Sequence, residues 1–320
     1  MSGSTEALPT PSTRVRSGGP LSRPSVREAA WGFVFISHWV AGLILFTAGP
    51  MIASFIMSLT NFDLLHADQV KFIGLDNYAR LINDPTVIGS LVATLKFAAI
   101  TIPLTMFASL GFALLLNHPK LPAKGALRAL VYLPVMIPLV ASTLVWIGFL
   151  NTDTGWLNAI LGALGLPKPD WINSQSWIYP ALSIIGLWAI GNYMLIKIAG
   201  LQAVPTELYE AARIDGAGPW TTFRRITIPM MSPVLLYNLV IVMIGTFQYF
   251  TQAYTMTNGR GDPNNATLFI NLVLFREGFV FNHMGYAAAI AWLLFVIVLG
   301  LTLLLFAVSR RRVYYAGGER

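Results

Sequence analysis

Six stretches of about 20 apolar residues, none with an acid or base near its centre, constrain this chain more than any other feature. A run of that length crosses the ~30 Å hydrocarbon core of a bilayer as a helix, in which every backbone polar group is bonded within the segment. The runs read as spans over about Trp31–Leu59, Leu95–Leu116, Leu130–Leu150, Ile178–Ile198, Met230–Tyr254 and Tyr286–Val308. Pro50 predicts a kink in the first, and Pro134 and Pro138 shape the third. Composition agrees. The 320 residues are 55% hydrophobic and only 11% charged, where soluble proteins carry about 25% charged residues. The expected fold is an all-α integral membrane protein with six transmembrane helices.

Lys and Arg give the expected orientation, because they concentrate on the cytoplasmic side. With both termini inside, 14 of the 21 fall on inner segments, against five outside: Lys71, Arg80, Lys168, Arg260 and Arg276. Lys96 and Lys197 sit near expected span ends, where long stems can reach the interface. The net charge of +7 is thus read as topology and not as an affinity for nucleic acid. Residues 1–28, rich in Pro, Ser, Gly and Arg, read as a disordered cytoplasmic tail. Residues 29–309 form the membrane domain and 310–320 a basic cytoplasmic tail. The outer segments 61–85 and 151–177 predict short interfacial helices. The protein is expected in the cell membrane, in contact with lipid.

Several chemistries are missing. With no Cys there are no disulfides and no thiolate sites. There is no G-x-x-x-x-G-K-[ST] phosphate cradle and no H-E-x-x-H, and the four His are scattered, so neither an ATP site nor a metal site is expected. No nucleophile–base–acid set stands out, so no catalytic residue and no enzyme activity is expected. Spans without central charges also lack the residues of an ion or proton relay. Energy for any transport must therefore arrive from another chain.

The segment 205–229 is where such energy could enter. It is the polar, charged loop between the fourth and fifth runs, yet it keeps helix-spaced apolar residues. Thr206 can cap a helix starting at Glu207, with acids near the favourable end of its dipole. Leu208, Ala211, Ala212 and Asp215 follow at helical spacing, and the two alanines allow a neighbouring helix to come close. Gly216 breaks the helix where a positive φ is needed. Pro219 suits the first turn of a second helix, with Trp220, Phe223 and Ile226 as its apolar stripe between Arg224 and Arg225, and Pro229 ends the motif. The physics leaves two occupants for such a helix–Gly–helix face: lipid, or a soluble partner.

Glu210-Ala211-Ala212, Asp215-Gly216-Ala217, Phe223, Ile226 and Pro229 resemble the EAA loop of the membrane subunits of binding-protein-dependent ABC importers. Ile228 departs from the Leu usual before that proline. F-I-G-L-D-N-Y at 72–78, G-W-L-N-A-I-L at 155–161, T-N-G-R-G-D-P at 257–263 and G-Y-A-A-A-I-A at 285–291 resemble the carbohydrate branch, the MalF-like permeases, over residues 30–310. Glycerol-3-phosphate permeases share many of these motifs. The resemblance implies that the loop holds a coupling helix seated in a cleft of an ATPase subunit. It also implies a second homologous permease subunit, two ATPase subunits that bind ATP and Mg, and an extracytoplasmic binding protein that delivers a sugar. No cofactor is expected in this chain. The alternative from a different class is a stand-alone channel or secondary carrier.

Uncharged polar and aromatic residues inside spans are the candidates for the sugar pathway, since sugars are held by such hydrogen bonds and by aromatic faces. They are Ser142 and Thr143 in span three, Trp188, Asn192 and Tyr193 in span four, and Thr246, Gln248, Tyr249 and Gln252 in span five. On a continuous helix Gly245, Thr246, Tyr249 and Gln252 would share one face. Each could equally serve as a helix–helix hydrogen bond. The resemblance favours the pathway, with Tyr193 and Tyr249 foremost.

Overall fold

The computed structural model describes residues 26–310. The expected tails lie outside the described residues, apart from Val26–Glu28, which open the first helix instead of extending the tail, and Arg310. Among the described residues every regular element is helical, and the one extended pairing is an isolated bridge between Thr60 and Phe72. The chain divides into two compact units, Met1–Ala53 and Ser54–Arg320.

The first unit contains α1 (Val26–Leu43), a π-helical turn at Ile44–Ala48 and the start of α2 (Gly49–Ser58). Trp31–Ser58 counts as one span, and the expected kink site, Pro50, follows directly on the π turn. In that turn the Gly49 N–H donates to Ile44 O, five residues back, a looser ladder with room for the ring of Pro50. Large apolar side chains on this helix, among them Trp31, Phe35 and Phe46, are exposed, as lipid contact requires.

In the second unit a 3-10 turn (Leu64–Gln69) and α3 (Asp76–Asn83) precede α4 (Pro85–Asn117), the element on which the unit is assembled. Asp84 accepts from the Thr86 N–H (2.8 Å) and the Tyr286 O–H (2.7 Å), and Pro85 fills the first turn, so the helix is capped and tied to the last span. Partial burial works against the Asp84 carboxylate, yet these hydrogen bonds hold its pKa below the usual value. At 33 residues and ~1.5 Å per residue, α4 outruns the hydrocarbon core. It therefore starts ten residues before the expected span, with Thr86, Gly89 and Ser90 beyond the apolar stretch.

Two expected spans are broken. The third, expected over Leu130–Leu150, falls on α5 (Lys124–Tyr132), a 3-10 turn (Leu133–Met136) and α6 (Leu139–Phe149), bent by 99°. Pro134 and Pro138 remove amide donors at the break. After the short α7 (Trp156–Ala163), the fourth run divides into α8 (Ile178–Trp188) and α9 (Gly191–Gln202), bent by 57°. A Cβ on Gly191 would lie 2.8 Å from Tyr132 Cα, so only glycine lets α9 pass this close to the end of α5. α10 (Thr206–Ile214) and α11 (Pro219–Thr222) lie in the loop, and a π turn at Phe223–Thr227 leads into α12 (Ile228–Phe247). Non-helical Phe250 separates α12 from α13 (Thr251–Thr257), and α14 (Ile270–Phe275) and α15 (Met284–Ser309) complete the order. Among the described residues four helices are long and apolar enough to cross a membrane, and up to six if each bent pair is one span. The expected short helices between runs are present as Leu64–Gln69, α3 and α7.

α4 packs against α8, α9, α12 and α14. This packing overturns one expectation. The Lys197 stem does not reach outward: the side chain is wholly buried, and its ammonium donates to Ser109 Oγ (2.6 Å) beside Met106 Sδ (3.8 Å). Ser109 Oγ in turn donates to Thr105 O. The reason is non-local: α9 packs against α4, which covers the Lys197 side chain.

Candidate functional site

The loop is built by local rules. α10 ends in a Schellman motif: the Ala217 N–H donates to Ala212 O (2.9 Å) and the Gly216 N–H to Arg213 O (3.1 Å), with Gly216 at φ +71°. Pro219 then opens α11. Two details differ from expectation. The N-cap is Pro205, not Thr206, and no side chain caps the helix; Thr206 is already its first residue. Pro229 does not end the motif either. It sits in the first turn of α12, where its missing N–H costs little, and the π turn before it carries the helix through.

The loop has a buried and an exposed side. Ala212 faces inward, and Tyr209 and Ile226 pack against Met231, Leu201 and Val204. The Tyr209 and Thr227 hydroxyls lie 3.2 Å apart, joining α10 to the foot of α12. Glu210, Ala211 and Asp215 face outward, and Glu210 meets Arg213 only at 3.9 Å in an exposed pair. Ile214 is 87% exposed and Trp220 70%, the latter stacked on Phe223 with centroids 5.6 Å apart. Ile214 escaped the sequence reading because it lies outside the i, i+3, i+4 pattern; its place directly before the Asp-Gly turn was the available signal. So large an apolar contribution on a polar loop, rimmed by Arg224 and Arg225, suits a protein contact.

The pathway candidates gather at breaks in helices rather than on continuous faces. Trp188 ends α8, Asn192 and Tyr193 open α9, and Gln248 and Tyr249 lie between α12 and α13. The face expected for Gly245, Thr246, Tyr249 and Gln252 is accordingly interrupted, because Phe250 at φ −142° turns the chain. The freed carbonyl of Gln248 accepts from Asn271 Nδ2 (3.1 Å). Non-helical backbone at membrane depth persists where protein or a cavity surrounds it.

The structure joins some candidates and separates others. Tyr249 lies in an aromatic cluster with Phe97 (4.7 Å) and Phe269 (5.6 Å), and Tyr179 stands behind Phe97 at 6.3 Å. Its hydroxyl is buried without a hydrogen-bond partner among the described residues. Trp188 pairs edge-on with Trp146 at 5.8 Å. Thr246 and Thr143 are buried and donate to carbonyls on their own helices, at Val242 and Leu139, as helix-packing threonines do. Ser142 is buried, Asn192 and Gln248 are exposed, and Tyr193 and Gln252 are half-buried. Phe97 and Phe269 were missed because apolar aromatics in apolar runs carry no distinguishing signal.

Over residues 102–314, the sequence matches the profile of binding-protein-dependent transport system inner membrane components. The chain belongs to that family. This permease is also 37% identical over 303 residues to the probable ABC transporter permease protein YesP of Bacillus subtilis, covering 93% of this chain and 96% of the relative. It is 33% identical over 292 residues to the trehalose/maltose transport system permease protein MalF of Thermococcus litoralis, covering 91% and 97%. Its fold is that of a chain in the crystal structure of a bacterial alginate ABC transporter in complex with an alginate pentasaccharide-bound periplasmic protein, with a TM-score of 0.77 at 22% identity over 89% of this permease and 96% of that chain. The protein is a multi-pass membrane component of an ABC transport system.

Proposed function

We propose that this permease forms half of the translocation pathway of an ATP-driven importer for a carbohydrate. It works beside a second homologous permease and two ATPase subunits that bind ATP and Mg²⁺, and an extracytoplasmic binding protein delivers the sugar. All six runs cross the cell membrane, both termini are cytoplasmic, and the 205–229 loop is the cytoplasmic joint. The observation that carries this reading is the loop itself: a rigidly terminated helix pair with Ile214 and Trp220 exposed, in a chain with no phosphate cradle. In this reading Glu210, Ala211, Ala212, Asp215, Gly216, Ala217, Phe223, Ile226 and Pro229 transmit the motion of the ATPases. Glu210 supplies polar contact, Gly216 the turn, and Phe223 and Ile226 anchor the joint to the bundle.

The names of the relatives support a sugar as cargo. Permeases named for trehalose/maltose, lactose and arabinooligosaccharides are 31% to 33% identical to this chain. Trp188, Asn192, Tyr193, Gln248, Tyr249 and Gln252 then line the pathway at the breaks in spans four and five, with Ser142 and Thr246 behind them. Co-expression with the neighbouring transport genes tests the assembly. ATPase subunits should co-purify, and uptake into liposomes should require ATP. Glu210→Lys should leave the complex in the membrane but separate ATP hydrolysis from uptake. A chain that purifies alone and transports without ATP would overturn the proposal in favour of a channel or carrier.

A further inference from the structure

A cavity of about 320 Å³ lies at the end of the bundle opposite the 205–229 loop. One wall is a face of α4 that rises from Pro85 to Lys96 at helical spacing, where Gly89, Ser90 and Ala93 are small enough to leave space. The facing wall comes from two distant segments, Gln175–Tyr179 and Asn264–Leu268, linked by the Asn264 amide donating to Gln175 Oε1 at 3.4 Å. Asn264 and Asn265 both have positive φ, which turns the backbone back towards α4. The volume is at the lower end of the ~300–1,000 Å³ usual for small-ligand sites.

The chemistry of the lining is specific. Ser90, Gln175, Asn264 and Asn265 offer uncharged donors and acceptors, and Tyr179 contributes an aromatic ring. Lys96 is the one charged side chain in the lining, and it has no ion pair or hydrogen bond among the described residues. The cavity is therefore complementary to a polyhydroxylated ring bearing an anionic group. Tyr179 also stands behind Phe97, which touches Tyr249. The cavity thus adjoins the aromatic cluster that closes the interior, at the place where an incoming ligand would arrive first.

We propose that this cavity is an outer subsite that receives a carboxylate-bearing sugar residue, with Lys96 pairing with the carboxylate. The inference rests on the importer reading, which makes this end the entrance. The absence of Cys allows a direct test, because a single introduced thiol is the only one in this chain. Gly89 lines the cavity, and a Cβ there meets nothing within 4 Å, so Gly89→Cys introduces the thiol without a clash.

In the assembled complex, in phosphatidylcholine nanodiscs, the Gly89→Cys thiol should react several-fold faster with an anionic sulfonatoethyl methanethiosulfonate than with its cationic trimethylammonium counterpart. Galacturonate should slow that reaction several-fold, while galactose at equal ionic strength should not. Adding Lys96→Gln should remove both effects. The proposal is overturned if galacturonate and galactose act alike, or if Lys96→Gln leaves the protection intact. It is also overturned if the thiol is inaccessible in the complex because the second permease covers it, or if only phosphatidylglycerol protects it. The importer reading is judged separately, by co-purification of the ATPase subunits with the same variant, so either can fail alone.

Discussion

The loop at 205–229 and the broken helices around Tyr249 are both irregular backbone next to apolar spans, but they are held differently. The turn between α10 and α11 is closed by bonds between residues no more than five apart, such as Ala217 to Ala212, and its special φ is met by a glycine. The breaks are closed at long range. Asn271 reaches back to Gln248, Gly191 passes Tyr132, and Phe97 of α4 packs on Tyr249. Local closure makes a rigid piece that can move as a unit. Non-local closure makes a region whose bonds must be exchanged whenever the helices shift.

The sharpest way to break this comparison is Gly216→Pro. A φ of +71° is closed to proline, which also removes the amide bonded to Arg213, a loss of about 3 kcal/mol in local order. If that order transmits the work, uptake should fall by about 100-fold, since about 1.4 kcal/mol corresponds to tenfold, while the amount of protein in the membrane is unchanged. Near-normal ATP-dependent uptake would show that the joint needs no rigid turn.

Next in size is the contact between α4 and α9. Ser109→Ala leaves the buried Lys197 ammonium without its hydrogen-bond acceptor and should destabilise the protein by about 2 kcal/mol, the scale of hydrogen bonds to charged groups. Lys197→Met should cost less, because the apolar side chain fills the same space. The double variant should resemble Lys197→Met rather than the sum. Thermal unfolding in detergent measures all three, and strict additivity would show that the two side chains do not interact.

These residues also mark how far the sequence could be read. The loop was legible in its Gly and Pro positions, because a helix stop and a helix start are chosen by neighbouring residues. The apolar runs were legible from length alone. The 99° and 57° bends were not, although Pro134 and Pro138 hinted at the first, because an apolar run has the same composition whether straight or broken. Lys197 looked free to reach outward because only the packing of α9 on α4 shows that its side chain is covered. Tyr249 was a candidate from the sequence, but its neighbours Phe97 and Phe269, far away in the chain, were not.

Tyr249→Phe gives a smaller and more pointed effect. Its hydroxyl is buried without a partner, so removing the oxygen should stabilise the protein by about 1 kcal/mol, the lower end of the penalty for an unsatisfied buried group. If the hydroxyl is retained for use when the cluster opens to a sugar, uptake should fall as stability rises. A variant that is more stable and transports normally would reduce Tyr249 to a packing residue.

The smallest expected effect completes the contrast, at Glu210. Its carboxylate meets Arg213 at 3.9 Å with both side chains exposed, so Glu210→Gln should change unfolding by no more than about 0.5 kcal/mol, as surface pairs do. Stability is therefore silent about this residue, and any consequence must come through another chain. Glu210→Gln should lower the ATPase activity stimulated by loaded binding protein, while Arg213→Gln, which breaks the same pair, should not. Equal losses in both variants would assign the effect to the ion pair within the loop. A loss confined to Glu210 would assign it to a contact across the joint, made by a side chain that the fold of this chain does not need.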